Sequence, residues 1–251
     1  MYHDQYSVAV PFYDLWHEDG HVPEVRRLLP PLLSGIGRSI MEIGAGTGLI
    51  TELIAWETPA EIYAVEPSLG MRSVLVSRLA ERADLLSRVT VLPCGALDVE
   101  VDEPVEAIVM ISVLHGFDAA ERERLWEVLA RQLEPGGLLV FNHREPPPAV
   151  PGELERMGSY QVGRHTYEIW GQVLETAGET VTWRFLYQIR QRGVLISEDE
   201  VVSVSHRPGR ERLDAELDAA GFTAQRASEG LLAWRLKRGS GTARRRLMEI
   251  A

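Results

Sequence analysis

Glu42, Gly44, Gly46 and Gly48 stand at alternate positions and carry the first chemical signal in this 251-residue chain. Glycines so placed let a ligand reach the backbone. The free N–H groups of a helix opening after them point at whatever is bound. Leu49 occupies the place where a dinucleotide-binding turn carries its third glycine, which counts against a pyrophosphate ligand. A carboxylate at Glu42 suits a ligand with positive charge. Glu66 ends the next apolar run, Glu61 to Val65, where a carboxylate accepts both hydroxyls of a ribose.

The elements that must hold these residues read from the pattern around them. Ile40, Met41 and Ile43 end a short buried parallel strand, and Leu49 to Trp56 opens a helix. Ser68 caps a helix running to Arg82. Val89 to Leu92 and Val105 to Ile111 read as a third and a fourth strand. Asp118 caps a helix to Leu133, which Glu134-Pro135-Gly136-Gly137 ends before a fifth strand, Leu138 to Phe141. Upstream, Pro23 to Leu29 reads as a helix that Pro30 and Pro31 interrupt or end. Downstream, Pro146 to Pro151 breaks the rhythm. From Arg164 to His206 the period shifts to two, as expected of two or three antiparallel strands, with Tyr167 to Thr176 readable as helix instead. Glu211 to Ala220 is a helix stopped by Gly221, followed by strands at Phe222 to Ala227 and Leu231 to Leu236.

Glu42-x-Gly-x-Gly-x-Gly and Val65-Glu66-Pro67-Ser68-x-x-Met71, each at a strand end, resemble the first two motifs of the class I S-adenosylmethionine-dependent methyltransferases. The Pro-Gly-Gly approach to the fifth strand is similar too. The motifs cover about residues 38 to 145, and the last helix and strands extend the likeness over 209 to 236. The resemblance implies an α/β fold: a Rossmann-like, seven-stranded, mostly parallel sheet with an antiparallel β insertion over the active-site edge. The layout is similar to bacterial small-molecule enzymes of amino-sugar and antibiotic pathways. It divides the chain into an N-terminal lid (1–30), a cofactor-binding core (31–145), a substrate-side insertion (146–208), the end of the core sheet (209–238) and a mobile tail (239–251).

The resemblance implies S-adenosyl-L-methionine as cofactor, held by Glu42, Gly44, Ala45, Gly46, Gly48, Glu66, Pro67, Met71, Gly95, Ala96 and Ile111. The family commonly has an acidic residue reading adenine where Gly95 stands, so backbone of Ala96 is expected to serve the ring. The expected activity is O- or N-methylation of a small molecule in bacterial secondary metabolism. His115, in Val113-Leu114-His115, matches a Leu-His segment found after the fourth strand; it is a candidate base, or else a structural or cofactor-contacting histidine. His143, ending strand five, is the second candidate. Tyr13, His17, His115, His143 and Tyr160 are the expected substrate contacts. The aromatic N-terminal segment is either a lid over the cofactor or an amphipathic helix on the sheet edge.

Composition excludes several classes. A net charge of −11 argues against a broad nucleic-acid footprint. No apolar run is long enough for a bilayer. The N-terminus lacks the basic-then-apolar pattern of a secretory signal, and Cys94 is the sole cysteine, so cytoplasmic residence is expected. The seven histidines show no close-spaced metal pattern. The aromatic face of the insertion is expected to line a pocket or bury a homodimer contact. Two other classes stay open at this point. One is an S-adenosylmethionine-binding enzyme catalysing a rearrangement. The other is a non-catalytic partner-binding module. A nicotinamide-dependent dehydrogenase is disfavoured by Leu49 and Glu42.

Overall fold

The computed structural model describes residues 6–145, 149–225 and 230–238. Two N-terminal helices come first, α1 (Val10–Asp19) and α2 (Val22–Leu33). Alternation then begins: β1 (Ser39–Ile43), α3 (Leu49–Glu57), β2 (Glu61–Val65), α4 (Leu69–Ala80), a short α5 (Ala83–Leu86), β3 (Val89–Leu92), β4 (Val105–Met110), α6 (Ala119–Gln132) and β5 (Leu133–His143). Four long strands follow: β6 (Glu155–Val162), β7 (His165–Ala177), β8 (Thr180–Gln191) and β9 (Val194–His206). The chain returns to the first sheet through α7 (Arg210–Ala219), β10 (Phe222–Ala224) and β11 (Gly230–Leu236).

The core sheet has seven strands in the order β10-β11-β5-β4-β1-β2-β3. All neighbours pair in parallel except β11, which is antiparallel to both β5 and β10. Strand order reverses beside β1, so the ends of β1 and β4 form the crevice where such sheets bind ligands. The pleat divides the core. Ile40 faces the layer of α2, α3, α4 and α5, while Met41 and Ile43 face that of α6 and α7. Glu42 shares the face of Ile40 and meets α3. The inserted strands form a second, antiparallel sheet, β6-β7-β8-β9. Its inner face is joined to the core by α1: Phe12 packs on Ile169 and Tyr187, with Val8, Trp16 and Phe185 around them.

Several boundaries differ from expectation for physical reasons. Pro30 and Pro31 lie inside α2, in its last turn, because burial of Leu29 and Leu33 carries the helix through. Glu134 to Gly137 does not turn the chain. It belongs to β5 as an irregularity opposite Val105–Ala107, with Gly136 at φ +89° and Arg38 holding Glu134 at 2.6 Å. Tyr167 to Thr176 is strand, because Tyr167 and Ile169 find partners on Phe12. Arg164 to His206 forms three strands, within the two or three expected there; β6, which precedes that range and is too exposed to alternate, carries no readable period and adds a fourth. Parts of the Pro146–Pro151 break and of the strand expected to reach Ala227, and the whole 239–251 tail, lie outside the described residues. No helix among the described residues is long and apolar enough to cross a membrane.

Candidate functional site

The turn after β1 is stitched to β2 by backbone. Gly44 N and Ala45 N donate to the carbonyl of Val65 at 2.8 and 3.0 Å. Gly46 N then donates to Glu66 Oε2 at 2.9 Å, and Ser68 N to Oε1 at 2.8 Å. The carboxylate of Glu66 is thereby fixed at the rim of the turn. Gly44 needs its missing side chain: at φ +71°, a Cβ would stand 2.3 Å from Cγ2 of Val113. Gly46, at φ +58°, has the ring of Tyr13 against its open side. Glu42 is buried beneath, its Oε2 accepting from Thr51 Oγ1 at 2.5 Å. Burial above all, with Glu66 nearby, pushes its carboxyl up to about 8, against the opposing hydrogen bond from Thr51.

Helix α1 closes over this turn. Asp14 accepts from Thr47 Oγ1 at 2.5 Å and pairs with the guanidinium of Arg78, whose Nε donates to the Thr47 carbonyl at 2.9 Å. Phe12, on the other side, sits 5.1 Å from the rings of Tyr167 and Tyr187. Tyr13 and His17 meet edge-on at 4.1 Å. Burial is the main force raising the Tyr13 phenol, with Tyr6 and the carboxylates of Glu66, Asp14 and Glu42 adding to it. His17 is lowered to about 3, chiefly by burial and then by His21 and His115.

Two cavities flank these elements. The smaller, about 20 Å³, lies between the α1–α2 segment and the glycine turn; Tyr13, His17, Glu42, Gly44, Thr47 and Ile111 are in its wall. The larger, about 330 Å³, opens beyond β4 and β5 and is walled by Ser112, His115, Asn142, His143, His206 and Arg207, among others. His143 is the end of β5. Its side chain is 10% exposed, and its Nε2 has no hydrogen-bond partner among the described residues, the nearest carboxylate being Glu145 at 3.9 Å. Burial lowers its pKa, which Glu145 partly offsets. His115, in a short 3-10 turn (Leu114–Gly116), is open to the cavity yet ringed by protein; that surrounding and His206 hold it below the ordinary imidazole value.

Of the residues singled out from sequence, Glu42, Gly44, Ala45, Ile111, Tyr13 and His17 meet at the smaller cavity, with Gly46 and Glu66 bonded at its rim. Gly48, at φ +92°, opens α3 with Leu75 packed against it. Pro67 and Met71 belong to the β2–α4 junction, where Met71 N donates to Ser68 Oγ at 3.2 Å. Gly95 and Ala96 follow β3 and line neither cavity. His115 and His143 share the larger cavity. Tyr160 lines neither cavity: it packs beside Phe12 on the second sheet and is bonded to Asp19. Sequence reasoning gave His21 no part and set Ser112 and Asn142 only at the ligand edge of the sheet, without a role; His21 lines both cavities, and Ser112 and Asn142 line the larger. His21 precedes a helix and Ser112 follows the end of β4, but only a positive φ, invisible in sequence, marks the serine. No group of three or more His, Cys, Asp or Glu among the described residues is arranged to hold a metal.

Residues 40–137 match the family described as a methyltransferase domain. An uncharacterized methyltransferase of Geobacillus kaustophilus is 27% identical over 139 residues, which is 55% of this chain and 61% of that one. The match thus spans less than two thirds of the relative's length. Among solved structures, DesVI of Streptomyces venezuelae superposes with a TM-score of 0.73 at 18% identity, covering 93% of this chain and 99% of its own. CalS10, an amino pentose methyltransferase of Micromonospora echinaspora solved with S-adenosylmethionine bound, gives 0.69 at 17%, covering 88% and 92%. The resemblance carried by the two motifs therefore extends to the fold of nearly the whole chain, both sheets included.

Proposed function

We propose that the protein is an S-adenosylmethionine-dependent methyltransferase acting on a small molecule. One observation carries this reading: two buried carboxylates flank a glycine turn, and a separate cavity of small-molecule size opens at the same sheet edge. The residues present fit the cofactor. Glu66, held by two backbone N–H groups, offers acceptors for a ribose diol; Glu42 offers charge for a cation; both stand at the glycine turn that Tyr13 covers. When bound, the cofactor supplies a methyl group on a sulfonium. The chain's own task is to hold the acceptor in line with it, and His115 and His143 are the polar groups we assign to acceptor binding. Helix α1, with Tyr13 and His17, excludes water from the junction. Structural neighbours that include an amino pentose methyltransferase involved in calicheamicin biosynthesis and a sugar N-methyltransferase support a place in bacterial secondary metabolism.

Calorimetry with S-adenosylhomocysteine tests the reading. Wild type should bind in the micromolar range, and Glu66→Ala should weaken binding at least tenfold. No binding by the wild type overturns the proposal.

A further inference from the structure

His21 is the one described residue that lines both cavities. It stands immediately before α2, and its ring is bonded at both nitrogens. Nε2 lies 3.0 Å from Ser112 Oγ, and Nδ1 lies 3.3 Å from Nδ1 of His17. Ser112 is in turn fixed by Asn142: its N–H donates to Asn142 Oδ1 at 2.6 Å, and its hydroxyl oxygen accepts from Asn142 Nδ2 at 3.3 Å. The hydrogen bonds therefore form one chain, Asn142–Ser112–His21–His17, running from the large cavity to the cofactor side. Ser112 holds it together at φ +57°, a left-handed conformation that L side chains other than Asn and Asp seldom adopt. Strain of this kind persists where the surrounding contacts over-determine it.

Valence accounting leaves one opening. With the Ser112 hydroxyl donating to Nε2 of His21 and accepting from Asn142, one lone pair of Oγ remains for an acceptor in the cavity. The walls at that point are neutral: Ser112, Asn142 and His21. The nearby carboxylates are engaged, Glu24 with Arg144 and Glu145 with the first N–H of α7. A neutral amine needs no base in order to react, whereas a hydroxyl must shed its proton, and the Ser112–His21 pair offers that proton a route.

We infer that Ser112 and His21 form the proton-accepting dyad of the transfer and that the methyl acceptor is a hydroxyl. This rests on the methyltransferase reading above. The acceptor O–H bond breaks as its oxygen bonds the methyl carbon, and the methyl–sulfur pair returns to sulfur. The acceptor's proton passes to Ser112 Oγ while the serine's own proton passes to Nε2 of His21. Positive charge begins on the sulfonium and ends on the His21 imidazolium, so the site's net charge is unchanged. His17 and Asn142 are positioning residues: His17 accepts from Nδ1–H and keeps Nε2 the basic nitrogen, and Asn142 aims the hydroxyl. The groups facing His21 are His17 from α1, Glu24 from α2 and His115 from beyond β4; burial outweighs Glu24 and keeps the free imidazole neutral at pH 7.

The test is the tautomer of His21, read by nitrogen NMR on histidine-labelled full-length protein, free and with S-adenosylhomocysteine, and assigned with His21→Gln. The expected result is a neutral ring protonated on Nδ1 at pH 7, whose Nε2 resonance shifts in Ser112→Ala. A ring protonated on Nε2, or an imidazolium at pH 7, overturns the inference. The kinetic arm uses 2-aminophenol and the methyl glycosides of glucose and glucosamine as acceptors. His21→Gln should lower kcat for oxygen methylation at least a hundredfold, with KM and S-adenosylhomocysteine binding within threefold of wild type. Transfer confined to nitrogen, or equal kcat in the variant, overturns it. Wild type that fails to bind S-adenosylhomocysteine would remove the methyltransferase reading itself, a result distinct from either.

Discussion

At Glu42, stability and the cation binding proposed for it pull in opposite directions. Buried against Thr51, its carboxyl titrates at about 8 in the folded chain against about 4.5 in the unfolded one. The folded state thus holds a proton that the unfolded state releases between those values. Stability is fullest below about 4.5 and falls as pH rises through about 8. Glu42→Gln should abolish that loss, and thermal melts from pH 5 to 9 should show a flatter profile than wild type. A bound cation would favour the ionised form. Calorimetry of S-adenosylmethionine in buffers of different ionisation enthalpy should accordingly register release of a proton at pH 7, absent in Glu42→Gln. A residue-scale counterpart is Gly44, where Gly44→Ala meets both a positive φ and Val113 at 2.3 Å. That variant should lose cofactor-analogue binding, with a stability cost of about 1–3 kcal/mol measured by denaturant titration.

Helix α1 works as a latch between two sheets, tied by Asp14 to the glycine turn and by Phe12 to the inserted strands. Phe12 is buried to 3% exposure, so Phe12→Ala should cost about 3–5 kcal/mol, felt first as loosening of α1. The latch is also sensitive to acid. His17 titrates at about 3 when docked and near 6.5 when released. As pH falls below about 6.5 the released helix takes up a proton that the docked one refuses, so docking is full above 6.5 and weakens progressively toward 3. Hydrogen exchange of residues 10–19, corrected for intrinsic rates, should show protection falling across this window while α6 stays protected. His17→Gln should remove the dependence.

At the scale of the whole molecule, the inserted sheet is clamped to the core by charge as well as by α1. Arg122, on α6 and fully buried, pairs with Glu179 between β7 and β8 and with Glu216 on α7, each at 3.0 Å. Trp126 Nε1 also donates to Glu216, at 3.1 Å. Removing the guanidinium leaves two carboxylates without their buried partner. Arg122→Ala should therefore cost about 3–5 kcal/mol and lower the melting temperature by roughly 10 °C in differential scanning calorimetry. Double replacement with Glu216→Leu should recover part of that loss, since it removes one of the two carboxylates that Arg122 leaves behind.

The chain's pattern alone determined the core. Apolar runs of strand length set β1 to β5 along the chain, and the glycine spacing with Glu42 and Glu66 marked their ends as the place to expect a ligand. These are local signals, in which a residue's type is dictated by its own backbone: glycine where φ is positive, carboxylate where a strand ends among free backbone N–H groups. What the fold decided is what neighbours impose. Pro30 and Pro31 stay helical because α2 is buried. Tyr167 to Thr176 is strand because a helix from the far end of the chain supplies Phe12. Tyr160 leaves the site for the same packed face. His21, Ser112 and Asn142, far apart in sequence, form one hydrogen-bonded chain only where α2, β4 and β5 converge. No periodicity records that meeting, because each residue there answers to partners on other elements and not to its own segment.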